Sequence, residues 1–153
     1  MLYLAALLLG VTAGLRTATP LAALAWGAHL GWINLSGTWA GFLGNIIAVV
    51  ILTILALVEY VSDQLPTTPS RKSPPAFIGR VVAGGLAGLV VGLPFGSASI
   101  ITLILGAVGA VAGTLGGFEA RRWLATAFGR DLPAALLEDL VAIVVAFGSV
   151  WLL

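Results

Sequence analysis

Glu59 and Asp63 stand four residues apart in LVEYVSDQLPTTPSRKSPPAFIGR, the stretch from Leu57 to Arg80 and the only long polar segment of the chain. On a helix that spacing places both carboxylates on one face. Adjacent like charges raise each other's affinity for protons and attract cations, as a proton or metal relay at a membrane edge requires. Pairing with Arg71, Lys72 or Arg80 just downstream is the structural alternative. A second acidic pair, Glu138 and Asp139, follows Pro133 within two helical turns, about 8–9 Å along the axis, near the positive end of the helix dipole. Wholly apolar sequence follows Asp139, so at least one of the pair is expected to face a bundle interior. Arg16 lies in a break, Gly14-Leu15-Arg16-Thr17-Ala18-Thr19-Pro20, where it can meet one of these acids or an anionic ligand at the start of the next helix. Arg80 opens a helix whose dipole it opposes, so it calls for an acidic or anionic partner. Arg16, Glu59, Asp63, Arg80, Glu138 and Asp139 are therefore the candidate ligand or ion site.

The remaining chemistry is sparse. Without cysteine there is no disulfide, thiolate, iron–sulfur or cysteine zinc site, and the single histidine, His29, has no second histidine with which to build a metal centre. It reads as a packed or interfacial side chain. No HExxH, GxSxG or phosphate-loop signature is present, which disfavours hydrolases of those types. The sequence names no cofactor and leaves a metal open. Seven basic against six acidic residues make no basic patch of the extent nucleic acid demands.

The elements that must position these residues are membrane helices. The chain of 153 residues is 60% hydrophobic and 8% charged, against roughly 25% charged in globular domains, and its mean hydropathy is +1.13. Uncharged stretches 1–15, 81–118 and 140–153, with 17–58 charged only if His29 is protonated, are spanning material. The expected fold is all-α: a polytopic membrane bundle of six spans in one domain, with helices near 2–15, 20–33, 39–64, 77–93, 99–128 and 133–153. MLYLAALLLGVTAG lacks a basic leader and reads as a short first span of about 21 Å, not a cleaved signal. Trp32 and Trp39 flank an uncharged turn at a membrane interface. Four prolines between Pro66 and Pro75 are expected to keep the loop 65–76 extended. Gly129 ends the fifth helix. A five-span alternative, with 2–33 as one broken helix, needs about 48 Å for a single crossing, too long for the bilayer. An offset of 60 residues superposes helices two and three on four and five, but only four identities follow, so it is an echo of topology and not a demonstrated repeat.

All seven basic residues fall in alternate connections: Arg16 in the first, Arg71, Lys72 and Arg80 in the third, Arg121, Arg122 and Arg130 in the fifth. The positive-inside rule then sets those connections in the cytoplasm and both termini outside. Gly84, Gly88 and Gly92 on helix four, and Gly109, Gly113 and Gly117 on helix five, recur every four residues and make strips where backbones approach closely. A hairpin between helices four and five is the direct reading, and a dimer seam or sliding surface the functional one.

The string Glu59-Tyr-Val-Ser-Asp63-Gln-Leu-Pro66-Thr-Thr-Pro69-Ser-Arg71, with Gly79-Arg80, Gly113-Thr-Leu-Gly-Gly117, Arg121-Arg122 and Glu138-Asp139-Leu-Val-Ala, resembles an uncharacterised family of bacterial membrane proteins, the domain of unknown function numbered 4126. The Gly14-Leu15-Arg16 break is similar to its N-terminal pattern, and Gln64 stands where the resemblance would place lysine. The resemblance implies a small helical inner-membrane protein and assigns no activity.

Three functions are compatible with these residues. The leading one is a small-solute or ion transporter or channel, homo-oligomeric because six short spans enclose little volume. The second is a non-transporting module that binds anionic lipid or a protein through Arg71, Lys72, Arg121, Arg122 and the Trp123 extension. The third, a lipid-modifying enzyme with a carboxylate pair as acid and base, has the least support, and the chain is more readily read as no enzyme. The lipid bilayer itself is the one partner all three share.

Overall fold

In lipid every backbone N–H and C=O must find a partner within the chain, and a helix satisfies them locally. The computed structural model describes residues 1–65, 70 and 72–153. Its described residues form α1 (Leu2–Leu15), α2 (Thr19–His29), α3 (Ile46–Ser62), α4 (Pro74–Gly92), α5 (Ala98–Phe128) and α6 (Asp131–Trp151), with 3₁₀ turns at Trp39–Gly44 and Leu93–Phe95 and no strand among them. Three segments are long and apolar enough to cross a membrane: Pro74–Phe95, Ala98–Phe128 and Asp131–Trp151. Apolar α1 and α3 are shorter. Large apolar side chains face outward along α3, α5 and α6, with Ile47 at 66%, Ile100 at 67% and Val144 at 62% exposure. Water would not tolerate so continuous an apolar surface, whereas acyl chains suit it, so this all-helical bundle has the surface of a membrane protein.

Neighbouring elements alternate in direction. α2 runs antiparallel to α3, since Thr19 meets Tyr60 while Trp26 meets Thr53. α4 runs antiparallel to α5, with Gly92 beside Thr102 and Gly84 beside Ala110. α1 lies parallel to α5, Gly10 against Gly106 and Gly14 against Ala110 and Thr114. Arg121 reaches back to Asp131, so α6 returns along α5. The bundle therefore gathers its described acids, lysine and arginines at one end.

α1, α4 and α5 make the tightest packing, and the glycines explain why. The expected α4–α5 hairpin is present with the α4 series at its contact, but the α5 series is turned to another helix. Gly84 and Gly88 of α4 lie on Gly106, whereas Gly109 and Gly113 of α5 lie on the backbone of α1 at Leu7 and Val11. Gly92 abuts Ser99 and Thr102, and Gly117 is buried on α5. Gly106 falls outside the four-residue series yet sits where α1 and α4 both cross α5. These strips are spent on contacts within one chain.

Several helix ends differ from expectation for local reasons. The helix expected at 39–64 is broken: Trp39–Gly44 is a 3₁₀ turn, and Asn45, extended at φ −74° and ψ 137°, caps α3 by accepting from the Ile47 N–H at 2.9 Å. α2 stops at His29 and not at 33, because Gly31 takes φ +79° and the Trp32 N–H bonds the Gly27 carbonyl at 2.8 Å, the glycine-dependent helix stop. Buried Ile33, Leu35, Ala40 and Leu43 then tuck the connection into the core. α4 begins at Pro74, earlier than 77, since Pro74 and Pro75 occupy first-turn positions where no N–H is needed. By the same logic α6 begins at Asp131, ahead of Pro133.

A methyl group at Gly106 would collide with the Gly84 and Gly88 backbones, neither of which is a movable side chain, whereas one at exposed Gly116 meets nothing. Gly106→Ala is expected to cost about 1–3 kcal/mol, and Gly116→Ala to be neutral or stabilising by up to about 1 kcal/mol. Thermal unfolding of the purified protein in detergent, scored by the order of the two midpoints, checks this.

Candidate functional site

Between α1 and α2 the chain breaks, leaving carbonyls at the end of one helix and amides at the start of the next without helical partners. Side chains from two other helices fill both roles. Arg80 of α4 donates from Nη1 to the carbonyls of Gly14 at 3.0 Å and Leu15 at 2.8 Å, so it caps α1 at the negative end of that helix's dipole. Glu59 of α3 accepts from the Thr17 N–H at 2.6 Å and the Ala18 N–H at 2.8 Å, capping α2 at its positive end. This resolves the conflict between Arg80 and its own dipole: the guanidinium serves the end of α1, with Nη2 3.9 Å from Glu59 and 3.7 Å from Asp63.

Arg16 occupies the break itself in extended conformation and is wholly buried, at 0% exposure. Its Nη1 donates to Asp63 Oδ2, its Nε lies against Asp139 Oδ1 of α6, and its guanidinium carbon is 5.7 Å from the centre of the Tyr60 ring. Tyr60 in turn shares a 2.8 Å hydrogen bond with Thr19 of α2. Arg16, Glu59, Asp63, Arg80 and Asp139 thus converge on one buried cluster drawn from the α1–α2 break, α3, α4 and α6. Glu138, also buried, lies at its edge, 3.5 Å from Arg121 Nη1.

The other predicted residues lie elsewhere. Arg121 forms a two-point pair with Asp131 at 3.0 and 2.6 Å, so it is held between the acids of α6 and not offered to a headgroup. Lys72 Nζ stands 3.3 Å from Glu119 and 3.9 Å from the Phe118 ring centre. Glu119 also pairs with Arg122 at 2.8 Å, an exposed contact one turn apart. Arg71 lies outside the described residues. His29 is at the opposite end, where its Nδ1 is 3.0 Å from the Gly44 carbonyl and its ring meets Trp26 edge-on.

Low polarity makes each charge in the cluster consequential, because an unpaired ion costs several kcal/mol there. Yet several polar atoms of the cluster have no hydrogen bond among the described residues: Arg16 Nε and Nη2, Arg80 Nε and Asp139 Oδ1. The Nε of Arg16 touches Asp139 without hydrogen-bond alignment. No described group of three or more His, Cys, Asp or Glu has a metal-binding arrangement. The geometry suits recognition of a small polar species or movement of a proton. Sequence reasoning missed Tyr60, which directly follows Glu59 and turns toward Arg16, and the Gly14 and Leu15 carbonyls, which no side-chain pattern announces.

Removing Arg16 leaves two buried carboxylates without their guanidinium. Arg16→Gln is expected to destabilise by about 3–5 kcal/mol, whereas Arg122→Gln at the surface costs under about 1 kcal/mol. Paired thermal melts in one detergent measure the difference. Compared with protein-family models, curated proteins and solved structures, the chain matches none.

Proposed function

We propose that this chain is a small inner-membrane transport protein, and that the cluster of Arg16, Glu59, Asp63, Arg80, Glu138 and Asp139 is where an ion or small polar solute binds. The observation that carries the reading is Arg16, fully buried and with Nη2 lacking a hydrogen bond among the described residues, beside an Asp139 oxygen that meets it as an ion pair but accepts no hydrogen bond there. A purely structural cluster would be expected to use such groups fully. In this reading the alternating helices are six crossings, the charged end is cytoplasmic, both termini are outside, and copies of the chain associate. Membership in the bacterial family of the domain of unknown function numbered 4126 is part of the proposal, supported by the string from Glu59 to Arg71 and by the Gly79-Arg80 and Glu138-Asp139 pairs.

A second reading, a module that binds anionic lipid, draws on a different observation. Beyond Phe118 α5 continues for ten residues, carrying Arg122 at 72% and Trp123 at 71% exposure, the pairing found where a helix leaves the bilayer.

Reconstituted vesicles separate the two. Transport predicts flux of protons or a small solute through the parent protein that is lost in Asp139→Asn and Glu59→Gln and retained in an Arg122→Gln, Trp123→Ala variant. The lipid module predicts no flux, together with a rise in melting midpoint on adding anionic but not zwitterionic lipid, which that last variant abolishes.

A further inference from the structure

The charges gathered at the α1–α2 break are unequal in number. Among the described residues, two guanidiniums, Arg16 and Arg80, face three carboxylates, Glu59, Asp63 and Asp139. Each arginine charge is already matched: Arg16 by its hydrogen bond to Asp63, Arg80 by Glu59, whose two oxygens are also fixed by the Thr17 and Ala18 amides. Arg121 of α5 is engaged by the two acids beside it, Asp131 in a two-point pair and Glu138 at 3.5 Å. Among these described groups Asp139 is the surplus acid. It is 8% exposed, its Oδ1 accepts no hydrogen bond from the described residues, and the other groups around it are Glu138 on its own helix and the Tyr60 hydroxyl on α3.

A surplus carboxylate in so apolar a place is relieved either by a cation or by a proton. A metal ion such as calcium or magnesium needs about six oxygens around it. Here Glu59 and Asp63 are engaged by amides and guanidiniums, and Arg16 fills the centre of the cluster with positive charge. A proton needs only one oxygen. We propose that the cluster binds a single exchangeable proton, carried by Asp139 at neutral pH, and that this proton is the ion the site handles. Loss of that proton leaves Asp139 to compete with Asp63 for Arg16, whose Nε already lies against it. Binding and release are thereby coupled to the grip that α3 has on the α1–α2 break.

The inference rests on reading the cluster as a functional site, but its test needs no gradient and so stands or falls apart from flux. Infrared spectra of the purified protein in H₂O and D₂O at neutral pH are expected to contain a protonated-carboxyl stretch that shifts with deuterium. It should change frequency in Asp139→Glu, persist in Glu138→Gln, and disappear in Asp63→Asn, where removal of one acid equalises the charges and lets Asp139 ionise. A parent spectrum without that stretch overturns the proposal. So does a stretch indifferent to Asp139→Glu, or one that survives Asp63→Asn. If the stretch behaves as expected while vesicles show no flux, the proton site stands and transport falls.

Discussion

The structure depends on how the gap between α1 and α2 is closed. A helix broken inside an apolar bundle exposes backbone groups that lipid cannot solvate, and each costs several kcal/mol if left unmet. Arg80 meets the carbonyls of Gly14 and Leu15, and Glu59 meets the amides of Thr17 and Ala18, so one cation and one anion from separate helices turn a defect into a junction. The charges follow from the dipoles: a cation at the end of α1, an anion at the start of α2. Bringing Arg80 and Glu59 to the same gap also brings them toward each other, with Asp63 and Arg16 completing the set.

That junction explains the close glycine packing behind it. For Arg80 to reach the end of α1, α4 must run tight against α1 and α5, and Gly84, Gly88, Gly106, Gly109 and Gly113 permit the approach. Thr114 takes part from the third helix, its hydroxyl 3.4 Å from the same Gly14 carbonyl that Arg80 holds. Packing and electrostatics thus converge on one carbonyl oxygen, and neither is adjustable without the other.

Much of this was legible in the residues alone. Helix ends at Leu15 and Phe128 are marked by the Gly14–Arg16 break and Gly129, and the candidate acids and arginines stand out because nearly everything else is apolar. The ends that differed share a cause: Gly31, Asn45 and Pro74 act through backbone conformation and single hydrogen bonds, which hydropathy does not register. The α4 glycine series foretold the α4–α5 hairpin, whereas the partner of the α5 series was hidden, since four-residue spacing fixes which face is smooth but not which neighbour lies on it, and Gly106 lies outside that series. Partner choice within the cluster was hidden too. Asp63 and Arg16 are 47 residues apart, and only the folded α2–α3 return brings them together.

α3 is the element on which the chemistry and the architecture meet. It packs on α2 and on the 3₁₀ turn and hardly elsewhere, burying only Val49 and Ala56, while its outer face lies open to lipid. Between it and α4 runs an apolar groove lined by Leu21, Leu52, Leu86 and Val90. Apolar packing therefore does little to fix its charged end, which is held by Glu59, Tyr60 and Asp63 reaching into the junction. An element held by polar contacts at one end and weakly packed along its length belongs to the least stable part of a fold, the part from which moving elements are drawn. Two of the residues that hold α3, Glu59 and Asp63, are also the acids that share Arg16 and Arg80 with Asp139, so the anchoring of α3 and the charge balance of the junction rest on the same side chains.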